Sequence, residues 1–416
     1  MNPQIFASLM DQAGAPAHPL IFLILGVVTF ALHIAAVAVT LGALLLAVRG
    51  MMSADKNARR LAGTMAFTAK AGVGALVVLG VAPLLFVQVV YDPFWYTSNV
   101  LSAGWTIGFL FLLMLAYLML YRFQGVNPQM HERHEPPVRG LVWLAAALVL
   151  LIVCGVIIHV LAVQALQPAQ WMAWYAPNGV VDPSGLGLHE VGVARLVFFL
   201  TLAMPATAAW LYGMRRYLLS AGETDFEYID WLEVRAFRMG RAGGILMLVL
   251  GVVWMLTLPE NMRWFTDTVW PWIGAAAVLF LCALPYIQRR RRLCVTCNYM
   301  AGGMTVVAVL VLGAVREILR YGTLARQVGW EALAYKVNFD VASTVIFFVT
   351  FLAVGGTCIA YMLALAWKAG QCKGAVATDG LIDKLGAASV ALLAAWFVGY
   401  FAVALCTVAL GWSTNP

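Results

Sequence analysis

Hydrophobic positions in this chain fall in long unbroken runs. They show neither the spaced pattern of surface helices nor the alternation of half-buried strands. A membrane-crossing helix needs roughly 20 apolar residues at 1.5 Å rise each. Runs of that length predict ten spans, at 19–48, 64–90, 101–121, 141–166, 191–214, 243–258, 268–288, 299–318, 341–367 and 386–411. The run at 243–258 is the weakest of them. The predicted architecture is all-α, a polytopic membrane helical bundle forming one integral membrane domain over 1–416, with helices 1–5 in 1–214 and helices 6–10 in 215–416. No loop is long enough to fold alone. The longest are Arg215–Ala242, which carries the acidic cluster Glu223/Asp225/Glu227/Asp230/Glu233, and the stretches Gln167–Glu190 and Arg320–Phe339.

Composition agrees with this pattern. Hydrophobic residues make up 63% of the chain and charged residues 11%, with a mean hydropathy of +0.88. So few charges could not cover a soluble surface, which excludes a cytosolic enzyme, a disordered chain and a secreted disulfide scaffold. Seven cysteines scattered through apolar runs give no disulfide framework. Met1–Ala17 lacks the basic start and apolar core of a cleavable signal peptide.

The net charge of +7 could suggest nucleic acid, but the positions of the charges decide otherwise. Basic residues crowd the loops after helices 1, 3, 5, 7 and 9, for example Arg49/Lys56/Arg59/Arg60 and Arg289–Arg292. The opposite side holds only Arg263, Arg316, Arg320, Arg326 and Lys336. By the positive-inside bias both termini face outward, to the periplasm of a bacterial inner membrane. The basic excess is therefore a topology signal, and no nucleic-acid partner is expected. Outer loops are rich in Trp and Tyr (Trp95, Tyr96, Trp171, Trp174), as an interfacial belt would be.

Helices 1–4 contain no Asp or Glu, so that bundle lacks the carboxylate relay of a proton-consuming centre. It has histidine instead. His33 lies 16 residues before Arg49, about 24 Å from the inner boundary, and His159 lies 20 residues beyond Arg139, about 30 Å up helix 4. The two are compatible in depth. His189 and His18 stand at the outer mouths of helices 5 and 1, and His131 and His134 sit in an inner loop. An intramembrane imidazole is a functional candidate and a common axial ligand of haem iron. A hydrogen bond to a neighbouring helix carbonyl is the plainer alternative. Two basic residues are also placed in the membrane. Lys70 is expected near mid-bilayer, Arg195 near the outer edge; a quinone oxygen, a haem propionate, water or backbone carbonyls could partner them. The pair Cys294/Cys297 is followed by Asn298 rather than His, which argues against covalent haem.

The segment ALHIAAVAVTLGALLLAV, containing His33, resembles the first-helix haem-ligand segment YHFxxxPLTLGxAFLLA of subunit I of the cytochrome bd quinol oxidases. AKAGVGALVVLGVAPLLFVQVVYDPFWYTSN, IIHVLAVQALQP and ARLVFFLTLAMPATA resemble later parts of the same subunit, with Lys70 and Arg195 at basic family positions. The likeness covers about 200 residues. It implies that family's scaffold and a haem near His33. The departures are as informative. The family's fifth-helix haem histidine falls on Phe198, its third-helix glutamates have no counterpart in Leu101–Tyr121, and its late-helix glutamate falls near Gly313, one turn from Glu317. The long outer quinol-binding loop shrinks to Pro259–Asp267.

These features imply a diverged relative that moves electrons. The expected function is an integral membrane b-type cytochrome, the electron-transfer subunit of a respiratory oxidoreductase. It would relay electrons between membrane quinol or quinone and a periplasmic redox partner, a c-type cytochrome or another redox subunit. The expected cofactors are haem b, one or more, and a quinone. His33 and His159 are expected as iron ligands, His18 and His189 as a shallower pair, and Lys70 and Arg195 as cofactor-binding residues. Paired His ligands close the iron, so the chain is not expected to reduce oxygen itself. Three other readings compete: a haem-free quinol-binding anchor of the polysulfide-reductase type, a genuine bd-like oxidase, and a transporter. The last has no discontinuous helix pair or midplane carboxylate to support it.

Overall fold

The computed structural model describes residues 10, 14–132, 136–290, 295–339, 341–369 and 378–409. His134, Cys294 and Asp340 lie outside these residues, as do the side chains of His131 and Cys297. The described residues are helical, with nine helices long and apolar enough to cross a membrane and a shorter apolar helix, Leu352–Lys368. The chain is an integral membrane protein built as an all-α bundle.

The chain separates into two compact units. The larger holds α1 (Pro19–Met51), α2 (Lys56–Val90), α3 (Ala103–Gly125), α4 (Leu141–Gln164), α5 (Val193–Ser220), α6 (Phe226–Leu256), α7 (Trp270–Arg290) and α8 (Val295–Val328). The smaller holds α9, running from Val341–Val349 through a π-helical turn at Thr350–Gly355 into Gly356–Ala369, and α10 (Gly380–Ala409). A widened turn of this kind breaks the regular ladder. The expected ninth span, 341–367, is helical throughout, with a π-helical turn in its middle.

The helices begin where local chemistry allows. His18 caps α1, its Nδ1 accepting from Leu20 N–H at 3.2 Å, and Pro19 supplies a first-turn residue that needs no donor. Asp55 and Asp225 cap α2 and α6 by accepting from Asn57 N–H and Tyr228 N–H. α5 breaks regularity at Leu202, three residues before Pro205, whose missing N–H leaves the carbonyl one turn back without its usual donor. Small residues let the helices approach closely. A Cβ on Gly42 of α1 would collide with Thr207 of α5, and one on Gly244 of α6 would lie 2.7 Å from Cys282 Sγ of α7.

Several boundaries differ from the sequence expectation. The stretch Arg215–Ala242 is not a loop. α5 runs on to Ser220 and α6 starts at Phe226, so the weak span at 243–258 is the apolar end of a 31-residue helix. The acidic cluster pins this hairpin to α2: Arg60 pairs with Glu223 and with Asp225 at 3.1 Å, and Lys56 with Glu227 at 3.2 Å. The hydropathy run ends at a charge here, but the helix does not. Likewise α8 continues to Val328, ten residues beyond its expected end, which leaves little of Arg320–Phe339 as loop. The stretch Gln167–Glu190 folds over the ends of α3 and α4, where Ser102 Oγ donates to Gly187 O at 2.7 Å and Trp105 Nε1 to Leu186 O at 2.7 Å.

Candidate functional site

His33 projects from α1 against α2. Its Nδ1 lies 2.9 Å from the carbonyl of Leu76. A carbonyl can only accept, so this bond places the proton on Nδ1 and leaves Nε2 with a free lone pair, the tautomer a metal-ligating histidine requires. The ring fits because residue 80 is glycine: a Cβ there would stand 2.8 Å from His33 Cε1 and 3.0 Å from Nδ1. His159 projects from α4 beside the turn at Gly192, whose left-handed φ of 54° starts α5. A Cβ at Gly192 would lie 3.6 Å from His159 Nε2. This Nε2 is buried and makes no well-aligned hydrogen bond among the described residues, although the backbone of Val191 and Gly192 lies beside the ring.

Both imidazoles line one cavity of about 410 Å³, enclosed by α1, α2, α3, α4, α5 and α8. That volume falls in the range of about 300–1,000 Å³ usual for small-molecule sites. Most of the wall is apolar, with Phe30, Leu76, Phe94 and Phe199 among its residues. The polar exceptions come chiefly from α5, α8 and the end of α2: Arg195, Arg316, Glu317, Arg320 and Tyr91. Glu317 Oε1 accepts from Tyr91 Oη at 2.9 Å and from Arg320 Nε at 3.2 Å. Its Oε2 pairs with Arg320 and lies 3.7 Å from Arg316. Arg316 also sits over the Phe30 ring, 4.3 Å from its centroid, and Arg320 over Tyr91 at the same distance. Arg195 is buried, its Nε without a partner.

The structure thus brings together His33, His159 and Arg195 of the six residues expected from sequence, and leaves Lys70, His18 and His189 outside the cavity lining. Lys70 Nζ donates to Gln124 Oε1 at 2.6 Å and lies over the Tyr121 ring at 4.7 Å, reaching toward the C-terminal end of α3. Its partner is a side-chain amide. His18 is exposed and uses Nδ1 to cap α1. His189 stacks on Trp174, with centroids 5.2 Å apart and planes 7° from parallel. Phe198, at the family's histidine position, is buried among Phe199 and Trp254. Gly313 faces Phe30 and Val27 of α1.

Sequence reading missed Gly80, Arg316 and Arg320 as parts of the site. The two arginines and Glu317 carried a usable signal: three charged residues within five positions of an otherwise apolar helix.

No family model and no curated protein matches the chain. Among solved structures it is similar to the bd oxidase from Geobacillus thermodenitrificans, with a TM-score of 0.56 and 14% identity. The match covers 85% of this chain and 99% of that one. At such low identity the likeness is one of fold, and at that level the resemblance carried by the His33 segment holds: the chain has a bd-oxidase-like fold.

Proposed function

We propose that the protein is a b-type cytochrome of the bacterial inner membrane, relaying electrons between membrane quinol or quinone and a redox partner on the periplasmic side. The observation that carries this reading is the pair His33 and His159. Two imidazoles, one with Nε2 freed by its bond to Leu76 and one whose buried Nε2 makes no well-aligned hydrogen bond, line a single apolar cavity. A buried polar nitrogen without a well-aligned partner is costly, and iron would satisfy both nitrogens. Haem bound here supplies reversible one-electron chemistry. His33 and His159 would hold its iron, or two neighbouring irons, and the apolar wall would keep water from the macrocycle. The fold likeness is to a bd oxidase, and a c-type cytochrome is the partner class proposed for the outer side.

Two features favour a relay over an oxygen reductase. If both histidines hold one iron, that iron would have no position left for a diatomic ligand. The carboxylate of Glu317, the acidic group in the cavity wall, is held by Arg316, Arg320 and Tyr91 and is not free to deliver protons. A second centre on His18 and His189 has less support, since His18 caps a helix and His189 is stacked on Trp174.

The test is a reduced-minus-oxidised spectrum of the purified protein, followed by pyridine haemochrome assay of His33→Ala. A b-type α-band that loses at least one haem equivalent in the variant is expected. No band, or unchanged haem content, ends the reading. Carbon monoxide added to the dithionite-reduced protein should shift only a minor fraction of the spectrum, and a shift of most of it would favour an oxidase.

A further inference from the structure

Charge is unbalanced at the α5–α8 end of the cavity. Three guanidiniums, Arg195, Arg316 and Arg320, line it with one carboxylate, Glu317. Guanidinium stays charged in proteins. Glu317 answers Arg320 fully and Arg316 at 3.7 Å, and among the described residues Arg195 makes no ion pair. The rings of Phe30, Tyr91 and Trp254 beside these arginines offer a negative face but no net charge. The Tyr91 hydroxyl donates to Glu317 and adds none. Two positive charges are therefore left uncompensated in an apolar surrounding, which is expensive unless an anion completes them.

We infer that Arg195 and Arg316 bind the two carboxylates of the cavity's ligand, and that Glu317, paired with Arg320, is a fixed internal counter-ion that spaces the arginines and does not ligate iron. The inference rests on the cytochrome reading above, because haem joins a flat apolar body to two carboxylates on one edge. A surplus of two positive charges beside an apolar cavity matches that pattern in number and in sign. The forked N–H groups of arginine suit carboxylate better than a lysine would. Arg195 Nε, buried and unpaired, is the donor with the clearest vacancy. Glu317 has neither oxygen to spare: Oε1 takes Tyr91 and Arg320, and Oε2 takes Arg320 and Arg316.

The test compares haemin with haemin dimethyl ester, whose carboxylates are masked. Full-length protein produced in haem-starved cells is titrated with each. Wild type should bind the free acid at least about tenfold more tightly, the scale of one lost charge-assisted hydrogen bond. Arg195→Gln and Arg316→Gln should each narrow that gap by weakening the free acid alone, and the double variant should close it. Arg195→Lys should restore part of it. In the haem-loaded variants the reduction potential should fall, because a positive charge near the iron favours the reduced form. Equal affinity of wild type for both compounds overturns the inference while leaving the cytochrome reading intact. So does equal loss of both in the variants. Binding of neither compound sinks the cytochrome reading itself. A phospholipid that co-purifies with wild type and is lost in Arg195→Gln, without any preference for the free acid, would assign the cluster to a phosphate and overturn the inference.

Discussion

The protein carries two clusters of buried or half-buried charge, and they obey opposite rules. In the first, Arg215 of α5 meets Glu233 of α6 at 3.0 Å, and Arg60 meets Glu223 and Asp225. Here each positive charge has its negative partner, and the pairs join α2, α5 and α6. In the cavity wall three arginines share one glutamate. A cluster that closes on itself does structural work and needs nothing more, whereas a surplus of buried charge implies a missing component. The balance of charge within each of these two clusters differs where burial alone does not.

The sharpest way to break this comparison is to remove one partner from each cluster. Glu233→Ala leaves Arg215 buried without a counter-charge, which should cost about 3–5 kcal/mol in unfolding experiments on the detergent-solubilised protein. Arg316→Gln in the haem-free protein should cost far less, because it also removes repulsion between guanidiniums. Similar losses in the two variants would show that the cavity cluster is ordinary scaffold.

A second, smaller effect tests how His33 is held. In Gly80→Ala the new methyl would stand 2.8 Å from His33 Cε1, so the ring must turn away from Leu76 or the helices must part. Overpacking of this kind costs about 1–3 kcal/mol. The informative readout is spectroscopic. Haem should be retained with a shifted or broadened α-band and an altered potential, while Gly74→Ala, which meets nothing within 4 Å, leaves both unchanged. Identical spectra for the two variants would remove Gly80 from the site.

How much of this was legible in sequence follows from which forces act on each residue. The bilayer imposes long apolar runs, so the spans could be read directly, and the fold class with them. Their inner and outer ends could not, because hydropathy stops at a charge even when the helix does not. That is why Phe226–Arg241 read as loop and Arg316/Arg320 as mere outer-side charge, though both belong to continuous helices. His33 was legible because an imidazole in a membrane is rare and its neighbours resemble a known motif. Gly80 was not, since Gly72, Gly74 and Gly80 look alike in sequence and only the packing shows which one faces a ring. Lys70 was placed by counting turns along its helix. Its long side chain reaches Gln124, and that reach escapes any count of backbone rise.

The smallest expected effect concerns pH and the self-closing cluster. The backbone N–H of Asp225, which donates to Glu223 Oε1 at 3.0 Å, and then the Arg60 guanidinium hold the Glu223 carboxyl below its ordinary value of 4.5. A carboxylate with a depressed folded pKa contributes its full stability above the unfolded value. It loses that contribution as pH falls through the folded one. The side chains of Arg60 and Glu223 are 37% and 21% exposed, so solvent limits the contribution to about 1 kcal/mol or less. The thermal midpoint of Glu223→Gln should therefore trail wild type by a small, constant gap from pH 7 down to about pH 5. Below 4.5 the gap should narrow as the wild-type carboxylate takes up its proton. Asp225 and Glu227 are common to both proteins, so the difference isolates Glu223. A gap that shrinks between pH 7 and pH 6 would mean that a group other than this carboxylate controls the hairpin between α5 and α6.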